Sequence, residues 1–231
     1  TMEKLHRRLS EKSIFRTLAA VDLELLVSNS LRRDLNPREF LCFQEDIWPY
    51  VAFVDSGKLR WVLLSAGGKE HQLFALSPGE LFWAHSFFDD APMPASLVAG
   101  TSTSVYLWKR DTILPILYRN PETMFEITRM LTGIMRRARD IIYGLAFQPV
   151  AGRLANFIMS SMGDLNDPTV ERDMTLEDIA AICATSPEVV CRLLYQFQTD
   201  GVLHITRTRI TINDPEALRN LANMDRHDRL N

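Results

Sequence analysis

The chain has 231 residues, 46% hydrophobic and 24% charged, with a formal net charge of −3. That length accommodates one or two modest domains, the composition is that of a soluble globular protein, and no apolar run approaches the roughly 18 residues of a membrane span. The balance carries none of the whole-chain basicity that usually marks a nucleic-acid binder, so any such role has to rest on local charge.

The first residues, TMEKLHRRLSEK, are too polar for a signal peptide, and a cytoplasmic location is expected. Over residues 3–29 the apolar positions Leu5, Leu9, Ile14, Phe15, Leu18, Leu23, Leu25 and Leu26 recur at helical spacing, which predicts short leading helices. From Leu31 to Trp108 the pattern changes to short apolar strands cut by turn residues, as in a β-sandwich or jelly-roll barrel. The strand candidates are Leu31–Leu35, Phe40–Phe43, Tyr50–Ser56, Lys58–Ser65, His71–Leu76, Ser96–Ala99 and Ser102–Lys109. Turns are expected at Ser56-Gly57, Ala66-Gly67-Gly68 and Pro78-Gly79.

Asn120-Pro121-Glu122 opens a long helix, with proline where no N–H is needed and an acid near the positive end. Met124, Ile127, Leu131, Ile134, Ala138, Ile141 and Leu145 then recur at spacings of 3,4,3,4,3,4, a coiled-coil seam read as a dimerisation face. A core helix packed within one chain shows the same stripe. Val150–Met162 is a further apolar helix, and Gly163–Thr169 a polar loop.

In MTLEDIAAICATSPEVVCRLLYQFQTDGVL, residues 174–203, Thr175 and Asp178 have capping-box-like spacing before the apolar face Leu176, Ile179, Ala180 and Ile182. A short helix ends near Cys183, and Ser186-Pro187-Glu188 opens a second, whose inner face is Val190, Leu193, Leu194 and Phe197. Two helices joined by Ala184-Thr185-Ser186 have the length and turn of a helix-turn-helix, in which the second helix enters the DNA major groove. Glu188 and Arg192 are neighbours on its outer side, a plain surface ion pair or a reading pair. Arginine can donate to guanine O6 and N7, and a carboxylate can accept from a cytosine amino group. Ser186, Thr175 and Gln196 are further candidate contacts. In HITRTR, residues 204–209, Arg207 and Arg209 fall on an expected hairpin, 202–213, within reach of phosphates. Pro215–Met224 closes the chain as a short helix.

The pattern TLEDIAAICATSPEVVCRLLYQFQTDGVL resembles the winged helix-turn-helix of the bacterial CRP/FNR regulators, and PEVVCRLLYQFQ is closest to the FNR-like branch. The resemblance extends over nearly the whole chain. It implies an α+β fold: an N-terminal jelly-roll (double-stranded β-helix) barrel for effector sensing over residues 1–118, a dimerisation helix over 119–146, and a winged helix-turn-helix over 147–231. It also implies a homodimer on palindromic double-stranded DNA with TGA in the half-site, and RNA polymerase as a partner. Glu188, Cys191 and Arg192 match the base-facing positions, with Cys191 where FNR-like members have serine. Ala184 stands where the turn often has glycine, and a left-handed residue with a Cβ costs about 1–2 kcal/mol.

In the barrel half the matching landmark is Gly79-Glu80-Leu81 followed by Pro92-Met93-Pro94-Ala95-Ser96. Nucleotide-binding members carry arginine, then serine or threonine, where this chain has Met93 and Pro94. Methionine has no charge for a phosphate, and proline has neither hydroxyl nor N–H. The Thr-Ser pair of cyclic-AMP-binding members is matched by Ala138 and Arg139. The resemblance therefore implies a retained cassette that has lost cyclic AMP, with Gly79, Glu80, Leu81, Trp83, Met93, Pro94, Ala138 and Arg139 as pocket positions. Arg136, Arg137 and Arg139 are a solvated face or meet an anionic effector.

LFWAHSFF, residues 81–88, also resembles the haem-proximal segment of carbon-monoxide-sensing members, with His85 at the haem ligand and Trp83 replacing the cysteine ligand. A haem-based gas sensor is the alternative reading; the other makes His85 a packed core or surface residue and Trp48, Trp61, Phe82, Trp83, Phe87, Phe88 and Trp108 core, some of them lining an apolar effector pocket. Cys42, Cys183 and Cys191 are scattered and odd in number, giving neither a disulfide framework nor the roughly four clustered thiolates of an iron–sulfur centre. A cupin-like metalloenzyme would need clustered ligands, and His71 and His85 stand apart from others in sequence, so no enzyme is expected. A third reading keeps the fold without DNA binding.

Overall fold

The computed structural model describes residues 2–162, 169–171 and 174–224. The expected polar loop falls, except for Thr169, outside the described residues. The chain divides into two compact units, Thr1–Leu64 with Leu73–Arg137, and Ser65–Gln72 with Ala138–Asn231.

The first unit begins with α1 (Met2–Ser10), a 3-10 turn at Ser13–Phe15 and α2 (Ala20–Ser28). The strands are β1 (Leu31–Leu35), β2 (Phe40–Cys42), β3 (Tyr50–Ser56), β4 (Leu59–Leu64), β5 (Glu70–Leu76), β6 (Leu81–Trp83), β7 (Ser96–Ala99) and β8 (Thr103–Lys109). A short α3 (His85–Asp89) interrupts them, and α4 (Arg110–Arg119) and α5 (Pro121–Phe147) follow, α5 passing into the second unit after Arg137. Two four-stranded sheets, in orders β1-β8-β3-β6 and β2-β7-β4-β5, form the expected jelly roll. Each end of the seven expected strands falls within one residue of its expected place, because it lies at an alternation break or a turn residue.

Three elements had no such signal. β6 is three residues long and buried throughout, so it shows no alternation. In α4, Pro115 sits inside the helix and breaks the usual reading of a helical run. The third, α3, is a single short turn-and-a-half of helix among aromatics.

Val51 to Val54 are all fully buried because β3 lies between β8 and β6. The Trp108 indole N–H donates to the Leu26 carbonyl at 2.6 Å, tying β8 to α2. Arg8 ties α1 to β3, pairing with the Asp55 carboxylate and lying 5.0 Å over the Phe53 ring. The β3–β4 turn needs Gly57: φ is +80°, and a Cβ would lie 2.2 Å from the Ser102 carbonyl oxygen.

The second unit contains α6 (Val150–Ser160), β9 (Thr169–Glu171), α7 (Leu176–Ile182), α8 (Pro187–Thr199), β10 (Leu203–Ile205), β11 (Arg209–Ile212) and α9 (Pro215–Ala222). Its small sheet has the order β10-β11-β9, with β9 added to the expected hairpin. Leu154, Ile158, Ile179, Val190, Phe197 and Leu218 fill its core. The expected helix-turn-helix and wing are both present.

Asp22 is a buried carboxylate in the first unit, held by Arg119 at 2.5 Å and by the Asn120 side-chain amide at 3.0 Å. The Arg119 hydrogen bond, then that of Asn120, holds its pKa below the usual carboxylate range. A depressed folded-state pKa contributes stability that is full above the unfolded value of about 4 and is lost as pH falls through the folded value. Urea midpoints read by tryptophan fluorescence, which reports Trp48, Trp61, Trp83 and Trp108 of this unit, are expected to drop below about pH 4. Asp22→Asn should flatten that drop.

Candidate nucleic-acid interface and effector cavity

The capping box before α7 is formed. The Thr175 hydroxyl oxygen accepts the Asp178 N–H at 3.2 Å, and the Thr175 N–H donates to the Asp178 carboxylate at 3.2 Å. After Cys183 the chain turns through Ala184, whose φ of +49° is the left-handed conformation expected from its place in the turn. Arg153 on α6 holds this turn, donating to the Cys183 carbonyl at 2.9 Å, the Gln148 carbonyl at 2.9 Å and the Ala184 carbonyl at 3.4 Å. Its one sequence signal is a lone cation in an apolar helix.

Helix α8 is divided cleanly into two faces. Val190, Leu194 and Phe197 are buried, while Glu188, Cys191, Arg192, Tyr195 and Gln196 are exposed. Glu188, Cys191, Arg192 and Tyr195 lie together on one side, by helical spacing. Ser186 caps nothing; its hydroxyl bonds to Glu188, and this is the main reason the Glu188 carboxyl sits below its usual pKa. Arg192 makes no ion pair with Glu188 or any other described residue, so its guanidinium is free to donate. Tyr195, 72% exposed, extends this face beyond the residues singled out from sequence.

The wing is anchored to α8, since the Gln198 side chain accepts the Ile205 N–H at 3.1 Å. The hairpin closes with the Thr206 N–H donating to the Arg209 carbonyl at 2.8 Å, leaving Arg207 exposed at the tip. Arg209 is also exposed but stands opposite Glu171 in the β11–β9 register.

In the first unit a cavity of about 330 Å3 lies between β5, the loop before β6 and α5. Gly79, Glu80 and Leu81, all expected pocket residues, line it together with Phe74, Leu76 and Phe82. Lys12 and Ile14 close it from the N-terminal segment, and Met130, Gly133, Ile134 and Arg137 form the helical wall. Backbone hydrogen bonds fix the loop: the Gly79 N–H donates to the Val54 carbonyl at 2.7 Å, and the Val54 N–H to the Glu80 carbonyl at 3.0 Å.

The other expected pocket residues are placed elsewhere. Met93 is fully buried in the barrel core and Pro94 is exposed beside it. Trp83 is buried edge-on against Phe87, its indole N–H without an acceptor among the described residues. Ala138 and Arg139 are exposed on α5, Arg139 paired with Asp140.

His85 stacks on Trp61, with centroids 5.3 Å apart and planes at 17°, and burial pushes its pKa down. It does not line the cavity. Cys42 and Cys183 are buried, their thiols pushed up to about 12 by desolvation, so neither offers a thiolate. Among the described residues no cluster of three or more His, Cys, Asp or Glu side chains could hold a metal ion.

The stripe expected as a dimer seam is partly used inside the chain. Ile127 is 1% exposed in the barrel core, Met124 and Leu131 pack on that core, and Ile134 lines the cavity. Ala138 is exposed, and Ile141 and Leu145 are half-buried. The open side of α5 carries Phe125, Met135 and Ile142, exposed by 62%, 72% and 66%.

The Crp-like helix-turn-helix domain model matches residues 152–221, and the cyclic nucleotide-binding domain model matches residues 32–120. The chain belongs to the CRP/FNR family. It is 26% identical over 209 residues to the Cyclic AMP receptor protein of Thermus thermophilus, covering 90% of this chain and 96% of that one. It is also 26% identical to the CRP-like cAMP-activated global transcriptional regulator of Mycobacterium tuberculosis, over 71% of this chain and 75% of that protein. The structure of a CooA mutant from Carboxydothermus hydrogenoformans shares the fold, with a TM-score of 0.74 at 20% identity over 94% of this chain and 99% of the other. As a CRP/FNR protein this chain is a transcription regulator with a helix-turn-helix DNA-binding domain, and its relatives are regulators, which implies a non-enzyme. No described helix is long and apolar enough to cross a membrane.

In this CRP/FNR chain the left-handed Ala184 is a local strain that glycine relieves. Ala184→Gly is expected to stabilise the second unit by about 1 kcal/mol, read from urea unfolding followed by amide exchange at α7 and α8.

Proposed function

We propose that the protein is a homodimeric, sequence-specific transcription regulator in which a small effector in the barrel cavity sets affinity for a palindromic DNA site. The observation that carries this reading is the exposed face of α8, where Glu188, Cys191, Arg192 and Tyr195 stand together and Arg192 has no ion-pair partner among the described residues. Arg192 is free to donate two hydrogen bonds to a guanine edge, and Glu188 to accept from a cytosine amino group. Exposed Arg207 and Arg209 on the wing suit phosphates.

The dimer reading rests on α5. Phe125, Thr128, Thr132, Met135, Arg139, Ile142 and Ala146 recur at 3,4,3,4,3,4 on its open side. The Thr128 and Thr132 hydroxyls are satisfied within the helix, donating to Met124 and Thr128 carbonyls at 2.9 and 2.8 Å, so their methyl groups can pack. A seven-residue repeat of this kind supports a parallel two-helix seam with a second copy. Two-fold symmetry then calls for two half-sites about 34 Å apart.

Coupling follows from one helix having two roles. Met130, Gly133, Ile134 and Arg137 wall the cavity, and the seam runs down the other side of the same helix. An effector that favours one setting of α5 biases the dimer arrangement that fits the DNA spacing. The effector is not cyclic AMP, despite the names of the two relatives. At the position matched to the phosphate-binding arginine this chain has Met93, buried in the core.

Selection from random duplexes should return a palindrome with TGA in each half; a consensus without it would remove the FNR-like assignment of the recognition helix. Arg192→Ala should weaken that site about tenfold or more, corresponding to 1–3 kcal/mol, with an unchanged melting curve. Arg207→Ala should instead lower affinity for all sequences and reduce the salt slope by about one.

Met135→Glu with Ile142→Glu places like charges on the open face of α5 and should give a folded monomer by sedimentation. Site-specific DNA binding should be lost with it. A dimer surviving both substitutions would move the interface off this face.

A further inference from the structure

Two cations line one largely apolar cavity. Lys12 and Arg137 both border the space of about 330 Å3, and neither side chain makes a hydrogen bond or ion pair among the described residues. Gly79 has a φ of +91°, which calls for glycine, and the Lys12 amine lies 3.0 Å from where a Cβ on it would be, so the ammonium sits close against this loop. Glu80, the one carboxylate among the lining residues, is already engaged, accepting the Ser77 N–H at 2.6 Å.

The wall opposite the loop is opened by a second glycine. Gly133 lies in the interior of α5, where glycine costs about 1 kcal/mol relative to alanine, and a Cβ there would meet nothing within 4 Å. The room it leaves is bordered by Phe74, Phe82, Met130 and Ile134. Arg137 lines the cavity and is also solvent-exposed, which puts it at the mouth.

We propose that this cavity holds a small organic monoanion, a carboxylate on an aryl or branched alkyl body, its charge met by Lys12 and Arg137 and its body by the aromatic and aliphatic wall. The proposal rests on reading the cavity as the effector site. Lys12 and Arg137 against the single carboxylate of Glu80 leave the lining with one net positive charge, which a bound monoanion offsets. A neutral ligand leaves that charge to solvent. A cyclic phosphate ester would need several directed donors, and the barrel position expected to supply the main one, Met93, is in the core. At about 330 Å3 the space is at the small end of ligand pockets, which suits a body of one ring.

The test is ligand-observed NMR on the full chain with matched pairs of acids and their primary amides: benzoate, phenylacetate, 1-naphthoate and 4-methylpentanoate. At least one acid should bind well above its amide. Lys12→Met and Arg137→Met should each weaken it about tenfold or more, and Gly133→Leu should abolish it with an unchanged or raised melting temperature.

Amides binding as well as acids, cyclic AMP displacing the acid, no acid binding at all, or acid binding indifferent to both cation substitutions would each overturn the anion site. A gel shift with and without the bound acid separates the two levels. Acid binding that follows these variants but leaves DNA affinity unchanged keeps the anion site and removes the effector reading.

Discussion

The placement of Ile127 in the barrel core governs much of the rest. With this side chain almost wholly buried and Met124 and Leu131 packed against the same core, the rotation of α5 about its axis is fixed for its first three turns. A straight helix advances about 100° per residue, so fixing one stripe fixes all the others. Ile134 and Arg137 are thereby turned to the cavity, while Phe125 and Met135 are left exposed on the opposite side of the helix. The fold, the cavity wall and the open face are consequences of a single packing choice.

That choice explains why the helix was legible in sequence but its partner was not. The stripe from Met124 to Leu145 is the more hydrophobic of two seven-residue repeats on α5, and its first part, Met124 to Ile134, goes to the chain's own barrel. The second repeat contains Thr128, Thr132 and Arg139, which read as solvated positions until the hydroxyls are seen to be satisfied within the helix. Periodicity gives the existence of a stripe and not the identity of the surface that covers it. The strands were legible for the opposite reason. Turn residues such as Gly57 and Gly79 are demanded by positive φ, so they mark strand ends whatever the partner strand is. β6, buried on both faces and only three residues long, had neither alternation nor room for a turn signal.

The second unit shows the same division. Caps and turns are local, and Thr175 with Asp178, Pro187 at the start of α8, and the left-handed Ala184 all stand as their sequence positions require. Arg153 is not local. It lies about thirty residues from the Cys183 and Ala184 carbonyls it binds, yet it supplies the orphan carbonyls at the end of α7 with donors and so sets the angle at which α8 leaves the turn. Tyr195 was missed because an exposed aromatic looks like a core residue in a string of letters; only the burial of its neighbours Leu194 and Phe197 shows which way it points.

The cavity extends this contrast into chemistry. A phosphate site retained from a nucleotide-binding ancestor would keep its donors on the barrel, in one short segment that can be matched letter by letter. Here that segment gives Met93 to the core, and its burial with backbone bonds to Glu45 and Asp46 makes it a structural residue. The positive charge instead comes from Lys12 and Arg137, separated by more than half the chain and joined only by the fold. Sequence reading found Arg137 among three arginines on a helix and could not tell a solvated face from a binding one. What sets Arg137 apart from Arg136 and Arg139 is that it borders the cavity, which Lys12 borders from the N-terminal segment. On the proposed reading the site keeps its place in the fold while its charge is carried by different elements, which fits it to a differently shaped anion.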